Sequence, residues 1–334
     1  MPDTRHQDLI EFVRLHLGSD AGDPQPASSD ASFRRYWRVG AQGQNHIVMD
    51  APPEKESCVA FIDVARRLAD ADLRAPRVLA EDQQQGFLLL SDLGTETLLQ
   101  ALDQRTADSF YRSAMDSLQR MQRQVDGSGL PRYDTLKLRD EMELMPRWFL
   151  RSHLALEPEC EEFDIIEGAF VALIHNARVQ PQVFVHRDYH SRNLMLGAGV
   201  EDPLGILDFQ DAVIGPLTYD LVSLLKDCYV RWDPDRVARW AEDYRQRLAG
   251  SGMEVPDPRR WQRWFDLMGV QRHLKVLGIF ARLYYRDGKA GYLGDLPRVL
   301  EYVLESCERY LELEALGKRL QRWTQGRDLT IARA

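Results

Sequence analysis

The chain has 334 residues, a formal net charge of −9 and four cysteines. This length is sufficient for a large buried core, and the acidic balance excludes a general nucleic-acid binder, whose surface would be basic. The cysteines lie far apart without a Cys-x-x-Cys pair, and no apolar run is long enough for a signal sequence or a membrane span. We therefore expect a cytoplasmic monomer with reduced thiols and no nucleic-acid or membrane partner.

The first part of the chain predicts a small lobe built on a sheet. The elements expected from apolar spacing and turn residues are a helix (9–17), a loop (18–30), a strand hairpin (32–39 and 46–49), a helix (58–71) and a second strand pair (77–80 and 86–90). After residue 92 the pattern is mostly helical. This order predicts an α+β fold with two lobes, a nucleotide-binding lobe at 1–92 and a mainly helical lobe with the catalytic residues at 93–334.

A polar motif lies between short apolar runs in the second lobe. His186 and Asp188 are followed by Asn193, and Asp208 comes fifteen residues later. The spacing His-x-Asp-x4-Asn is typical of the catalytic loop of kinase-like phosphotransferases. In that chemistry Asp188 would accept the proton of an attacking hydroxyl, and Asn193 and Asp208 would be the oxygen ligands of Mg²⁺. The alternative is a polar surface loop followed by an unrelated hairpin.

The residues around the motif predict how its parts meet. Residues 184–185 read as a strand that enters the loop, and 193–196 and 205–207 read as a hairpin around a turn rich in glycine and acidic residues. This hairpin would bring Asn193 and Asp208 to the same end of two paired strands. Arg192, within the loop, could contact phosphate oxygens or be a surface ion-pair residue.

Nucleotide contacts are expected in the first lobe. The segment that leaves the second strand pair would bind adenine through Leu90, Ser91 and Leu93. The turn at 28–32 contains no glycine, so that phosphate contacts would come from backbone amides, serine hydroxyls such as that of Ser32, or Arg34 and Arg35. A plain loop is an equal alternative.

The phosphate-pairing lysine expected on a strand of this lobe is missing. Asp50 occupies its place in the sequence, and Lys55 is the nearest replacement. Glu56 or Asp63 could be the carboxylate that orients such a lysine.

The sequence after Asp208 excludes a protein substrate. Only twelve residues separate Asp208 from the apolar helix expected at 221–225, which is too short for a peptide-binding platform. In this interval Gly215-Pro216 predicts a turn, and Asp220 could cap the helix or accept backbone amides of the catalytic loop. We expect structural roles for both Asp220 and His186, and a small-molecule acceptor.

The combination of His-x-Asp-x4-Asn, Leu-Asp-Phe at 207–209 and Gly-Pro-x-x-x-Asp at 215–220 resembles the aminoglycoside phosphotransferase/choline kinase superfamily, over essentially the whole chain. Segments 30–38, 49–56 and 208–221 are similar to its bacterial kinases of anomeric sugar hydroxyls. The resemblance implies ATP and Mg²⁺ as cofactors, and phosphorylation of the C1 hydroxyl of N-acetylmuramate and N-acetylglucosamine in cell-wall recycling.

The charge distribution bears on the class of acceptor. Residues 259–298 contain nine Lys/Arg against three Asp/Glu, which favours an acidic sugar over a polycationic aminoglycoside, although solvated helix faces are an alternative. The expected substrate contacts are Asp211, His273, Arg282 and Tyr285. Two other functions remain open at this point: an aminoglycoside or other hydroxyl kinase, and a pseudokinase scaffold that binds nucleotide without transfer.

Overall fold

The computed structural model describes residues 4–28, 33–197, 199 and 202–332. Contacts divide the chain into two compact units, Met1–Asp126 with Arg192–Ala212, and Gly127–Ser191 with Val213–Ala334. Residues 93–126 and 192–212 thus belong to the same compact unit as the first 92 residues. The predicted boundary at residue 92 separates a nucleotide-binding lobe from a lobe with the catalytic residues, and this division of roles stays a prediction.

The secondary structure agrees with the predicted α+β class. In chain order the elements are α1 (Thr4–Leu17), β1 (Gln25–Ser28), β2 (Arg35–Ala41), β3 (Gln44–Asp50), α2 (Val59–Asp70), β4 (Val78–Asp82), β5 (Phe87–Ser91), α3 (Leu98–Ala101), α4 (Ala107–Gln124), α5 (Thr135–Met142), a π-helix (Met145–His153), α6 (Cys160–Arg178), β6 (Gln182–Val185), β7 (Leu194–Met195), β8 (Gly205–Ile206), β9 (Val213–Pro216), α7 (Tyr219–Leu225), α8 (Pro234–Gly250), α9 (Pro258–Tyr285), a 3₁₀ helix (Ala290–Asp295), α10 (Leu296–Cys307) and α11 (Leu311–Thr324).

The first unit is built on an antiparallel sheet with the strand order β1-β2-β3-β5-β4. The expected helix at the start of the chain is confirmed as α1, whose apolar residues Leu9, Phe12 and Val13 pack against Val48 and Phe87 of the sheet. Successive residues of a strand point to opposite faces. The sheet therefore buries one face beneath α1 and presents the other to the rest of the unit.

The expectation of a plain loop at 18–30 is wrong, because β1 lies within it. Pro26 is paired with Trp37 of β2, and the register is irregular between Pro26 and Ser28. A proline lacks the amide that a central strand requires, but an edge strand leaves one side of its ladder unpaired. The Gly/Pro/Ser composition of the segment concealed a strand that depends on its partner.

The predicted hairpin is confirmed as β7 and β8, and Arg74 binds it to the segment that follows β5 in the same unit. Arg74 donates hydrogen bonds to the carbonyls of Leu196 at 2.9 Å and Leu93 at 3.0 Å, and its own carbonyl accepts the amide of Ile206 at 2.8 Å. The same guanidinium lies 3.4 Å from the carbonyls of Met195 and Pro203. One side chain thus joins the hairpin to the segment that follows β5.

Replacing Arg74 by methionine is expected to cost about 2 to 3 kcal/mol of unfolding free energy, because several part-buried carbonyls lose a charged donor while the apolar stem remains. Urea denaturation would measure this loss. Arg66→Met is the matched control, since Arg66 is exposed on α2 and should change stability by less than about 0.5 kcal/mol. Equal effects of the two substitutions would contradict the role assigned to Arg74.

The second unit is organised around α9, a 28-residue helix. Its residues are almost all buried from Trp264 to Gly278. A side chain at Gly278 would lie 2.2 Å from the backbone of Leu144, so that the chain before the π-helix packs directly against α9 there. In the same unit β6 pairs with β9, which places the start of the catalytic loop beside the turn that leads to α7. Among the described residues, no helix is both long and apolar enough to cross a membrane.

Candidate active site

Asn193 and Asp208 meet at one end of the β7–β8 hairpin, as the sequence predicted. The Asn193 carboxamide donates to the Asp208 carboxylate at 3.3 Å, and the Asn193 carbonyl accepts the amide of Leu207 at 2.9 Å. Asp208 has a φ of +63°, a left-handed conformation that is uncommon for aspartate. Phe209 supports it from below, because its buried ring lies 4.8 Å from Phe61 of α2. The pair offers carboxylate and carboxamide oxygens, which suit Mg²⁺.

Asp188 lies in the second unit, in a loop that is anchored at both ends. Asp220 accepts the amides of His186 at 2.6 Å and Arg187 at 3.0 Å, which is the contact predicted for Asp220. At the other end, Asp227 accepts the amide of Ser191 at 2.9 Å and its hydroxyl at 2.5 Å. These carboxylates fix the loop on either side of Asp188.

His186 supports the same loop from within. Its Nδ1 accepts the backbone amide of Asp188 at 3.2 Å, and its ring packs edge-on against Tyr189. The side chain is fully buried, as expected for a structural role.

A buried carboxylate that the sequence did not indicate, Glu141 of α5, organises the surroundings of Asp188. It forms ion pairs with Arg187 and with Lys275, the latter at 3.3 Å, and accepts the hydroxyl of Tyr133. Lys275 also donates to the hydroxyl of Tyr219 at 3.2 Å. Glu141 thus balances two cations that stand next to the catalytic loop.

These cations keep Asp188 ionised. Burial alone would raise the pKa of Asp188, but Lys275, His190 and Arg187 outweigh it and lower this pKa to about 2. Asp220 behaves in the opposite way. Burial raises the pKa of Asp220 to about 7, against the two amides that it accepts. The two carboxylates therefore differ in how easily they are protonated. Asp188, which is predicted to contact substrate, stays ionised to a much lower pH than Asp220.

The described residues of the first unit do not contain the expected arrangement of a strand lysine that is oriented by a glutamate. The charged residues considered for this role form other ion pairs. Asp50, only 1% exposed, accepts Arg5 of α1 at 2.8 Å and Arg35 at 2.6 Å, so that it lies on the α1 face in a structural ion cluster. Glu56 pairs with Arg34 at 2.7 Å. Arg34, rather than Lys55, is the cation that a carboxylate orients.

The other two candidates have no part in such a pair. The Lys55 ammonium lies 5.4 Å from the Phe33 ring. Asp63 pairs with Arg67 one turn along α2 at 2.9 Å, and Ser32 lies outside the described residues.

The segment expected to bind adenine is fixed by its backbone. Ser91 pairs with Arg77 through both its amide and its hydroxyl, at 3.0 and 2.9 Å. Just beyond, Asp92 accepts Arg38 at 2.6 Å and the amide of Gly94 at 2.9 Å. Leu90 is buried in the sheet, and Leu93 gives its carbonyl to Arg74, as described above. The adenine-binding role of Leu90, Ser91 and Leu93 stays a prediction.

The four candidate substrate residues are divided between the two units. Asp211 is exposed in the first unit, whereas the others belong to the second. Tyr285 is half-buried, with its hydroxyl 3.3 Å from His153. Arg282 is half-buried near the end of α9.

The expectation for His273 is wrong. It is fully buried, stacks on Tyr302 at 4.8 Å between ring centroids, and donates from Nε2 to the carbonyl of Lys226 at 2.9 Å. Helical spacing marked its face of α9 as available, but that face is covered by α10.

His273 should make the protein sensitive to acid. Burial, together with Arg272, lowers the pKa of His273 to about 3, whereas an unfolded histidine titrates near 6.5. As pH falls below about 6.5, His273 is protonated in the unfolded state but not in the folded state. Its contribution to the free energy of unfolding therefore falls by about 1.4 kcal/mol per pH unit.

His273→Gln keeps a donor for Lys226 and cannot titrate. We expect the difference in unfolding free energy between wild type and this variant to shrink by about that slope from pH 6.5 to 4.5. Asp220, with its raised pKa, opposes the trend in both proteins and cancels in the comparison. Parallel pH curves from urea denaturation would contradict this assignment.

Comparisons with known proteins identify the family of this chain. The model of the phosphotransferase enzyme family matches residues 23–264. The N-acetylmuramate/N-acetylglucosamine kinase of Pseudomonas aeruginosa is 47% identical over 303 residues, which cover 90% of this chain and 88% of that relative. The protein of the same name from Neisseria meningitidis serogroup B is 40% identical over 296 residues, or 87% of each chain.

Solved structures of low identity show the fold. ADP-bound aminoglycoside phosphotransferase APH(2'')-Ib superposes with a TM-score of 0.60 at 15% identity, over 90% of this chain and 98% of that one. Choline kinase LicA from Streptococcus pneumoniae gives a TM-score of 0.64 at 10% identity, over 91% and 100%. The predicted kinase-like α+β fold is confirmed.

Proposed function

Because the chain belongs to the phosphotransferase enzyme family, we propose that it is an ATP-dependent kinase that phosphorylates the C1 hydroxyl of N-acetylmuramate and N-acetylglucosamine. The anchored loop around an ionised Asp188 supports the reaction. The choice of acceptor is carried by one observation: relatives named for these two sugars are 40% and 47% identical over most of the chain. The product, a sugar 1-phosphate, would serve peptidoglycan recycling.

In the proposed reaction Asp188 orients the sugar and accepts the proton of its C1 hydroxyl. The sugar oxygen forms a bond to the γ-phosphorus of ATP, the bond from that phosphorus to the bridging oxygen breaks, and ADP leaves. An anomeric hydroxyl is more acidic than an ordinary alcohol, and the transition state is loose, so that position matters more than basicity. A base with a pKa of about 2 is therefore adequate.

The residues present fit Mg²⁺. Asn193 and Asp208 would hold the ion, since a carboxylate and a carboxamide in contact supply the oxygen ligands that it prefers. When bound, the ion would neutralise phosphate charge. Gln210 donates to Asp208 at 2.8 Å and orients that carboxylate.

The nucleotide would be bound by the first unit. The ion pair of Arg34 with Glu56 is our candidate for the phosphate-binding cation and its orienting carboxylate, in place of the missing strand lysine. Adenine would contact the segment from Leu90 to Leu93. Dependence on ATP is consistent with a cytoplasmic location, and a monomer would contain every group named here.

An assay with Mg²⁺-ATP against amino sugars, aminoglycosides and amino alcohols tests this function. We expect turnover with N-acetylmuramate and N-acetylglucosamine and none with cationic antibiotics. Activity on aminoglycosides alone would favour a resistance-type phosphotransferase. Nucleotide binding without any transfer would favour a pseudokinase scaffold. A scaffold would not need to keep Asn193 and Asp208 in contact, so this contact favours an active enzyme.

A further inference from the structure

In the second unit, α5 and the π-helix that follows it run beside α9, and residues at corresponding positions of the two segments carry charges. Glu141 of α5 faces Lys275 of α9. Three residues later Leu144 meets Gly278 at backbone contact. One turn further along each segment come Arg147 of the π-helix and Arg282 of α9. The first of these positions holds an ion pair between the two segments, and the last holds an arginine on each segment.

Among the described residues, no carboxylate is within ion-pair distance of either of these two arginines. Arg147 is exposed, with its guanidinium 5.7 Å from the Trp148 ring. The Nε of Arg282 is buried and has no hydrogen-bond partner. Arg286, the next cation on the same face, is instead neutralised by Asp287 at 2.7 Å. Like charges at this spacing destabilise each other unless an anion lies between them.

The pKa of Arg282 reflects this positive potential. Burial lowers it most and Arg286 lowers it further, Asp287 opposes them, and Arg147 has the smallest lowering effect of these groups. An anion that entered here would relieve both the burial of an unpaired guanidinium and the repulsion.

The position of Arg282 relative to Asp188 fits a sugar acid. Lys275, the cation with the largest effect on Asp188, lies seven residues before Arg282. Seven residues are two helical turns, so the two cations share a face and are about 10 Å apart along the axis. Lys275 is 5% exposed, whereas Ile279, Arg282 and Leu283 are half-buried, so that α9 emerges from the interior between them.

We propose that Arg282, assisted by Arg147, binds the carboxylate of the lactyl group of N-acetylmuramate and sets the preference of the enzyme between its two sugars. The inference rests on the proposed function. The two sugars differ only in this lactyl ether, two ring positions from the reacting carbon. A guanidinium binds a carboxylate through paired donors, and a second cation adds electrostatic attraction. N-acetylglucosamine would leave this subsite unused.

The test compares kcat/KM for the two sugars in wild type and Arg282→Met. We expect the ratio of N-acetylmuramate to N-acetylglucosamine to fall at least about tenfold, mainly through KM, as for loss of a charge-assisted hydrogen bond. Arg147→Met should lower the ratio by a smaller factor, and Arg282→Lys should restore part of it. Arg259→Met is the control, an exposed arginine at the other end of the same helix, and should leave the ratio unchanged.

The outcomes separate this inference from the proposed function. Equal loss with both sugars in Arg282→Met would indicate a structural role and overturn the carboxylate subsite alone, as would an unchanged ratio. A wild-type protein that phosphorylates neither sugar would overturn the proposed function and the subsite with it. Because the comparison is a ratio within one variant, a partly unfolded preparation would not imitate the expected result.

Discussion

Replacing Asp188 by asparagine is expected to lower kcat at least about a hundredfold for both sugars, the scale that a positioned base contributes. Asparagine keeps the shape of the side chain but cannot accept the hydroxyl proton, and it removes the negative charge that Lys275 and Arg187 stabilise. Steady-state measurement of ADP release gives kcat directly. The KM for ATP should change little, because the expected nucleotide contacts lie elsewhere in the chain.

Asp164→Asn is the matched control for this substitution, since Asp164 is exposed on α6. It should retain full activity. The unfolding midpoint of Asp188→Asn should fall moderately, because the lowered pKa of Asp188 means that the folded state stabilises its charge. The loop itself should stay in place, since Asp220 and Asp227 anchor it. Activity within about tenfold of wild type would show that Asp188 is not the base.

Replacing Glu141 by glutamine is expected to have the largest effect on stability, about 3 to 5 kcal/mol. The substitution keeps the side-chain volume but leaves Arg187 and Lys275 as buried cations without their counter-charge. Burial opposes ionisation of Glu141, yet Lys275 and Arg187 prevail and lower its pKa. Urea denaturation at neutral pH, where this carboxylate is ionised, measures the loss.

Glu143→Gln is a suitable control for Glu141. Glu143 is two residues away, 43% exposed, and 3.4 Å from Arg139 in a surface pair, which should contribute less than about 1 kcal/mol. If both substitutions cost the same, the two cations beside the catalytic loop do not depend on Glu141. Glu141→Gln should also lose activity, because Glu141 pairs with Arg187, and Arg187 directly precedes Asp188.

The residues that sequence spacing predicted correctly are those that are close along the chain. Asn193 and Asp208 are 15 residues apart and are joined by a hairpin of known turn chemistry, which restricts their possible positions. Asp220 is an exception, because it lies 34 residues beyond His186 and was indicated by the motif rather than by a short connection. The catalytic and metal-binding roles of these residues remain predictions that the experiments above address.

The residues that the sequence did not indicate act across long separations. Glu141 lies 47 residues before Asp188, and Arg74 lies 122 residues before the carbonyl of Leu196 that it binds. Neither has a local pattern that distinguishes it from a surface charge. His273 illustrates a different limit: α9 is buried nearly all round in its central part, so that periodicity could not tell which face was accessible.

Asp50 shows how a motif comparison can misplace a function. The motif comparison placed Asp50 where a phosphate-pairing lysine would stand, whereas strand alternation turns it towards α1, where Arg5 and Arg35 enclose it. Arg34 lies just before β2, and its pairing with Glu56 was visible only in three dimensions.

The position of the transferred phosphate tests the central claim most directly. Phosphorus-31 NMR of the product from Mg²⁺-ATP and N-acetylglucosamine should show a phosphorus coupled to the anomeric proton, and hence a 1-phosphate. The same result is expected with N-acetylmuramate. A phosphorus coupled instead to the C6 methylene protons, or no phosphorylated sugar at all, would contradict the account.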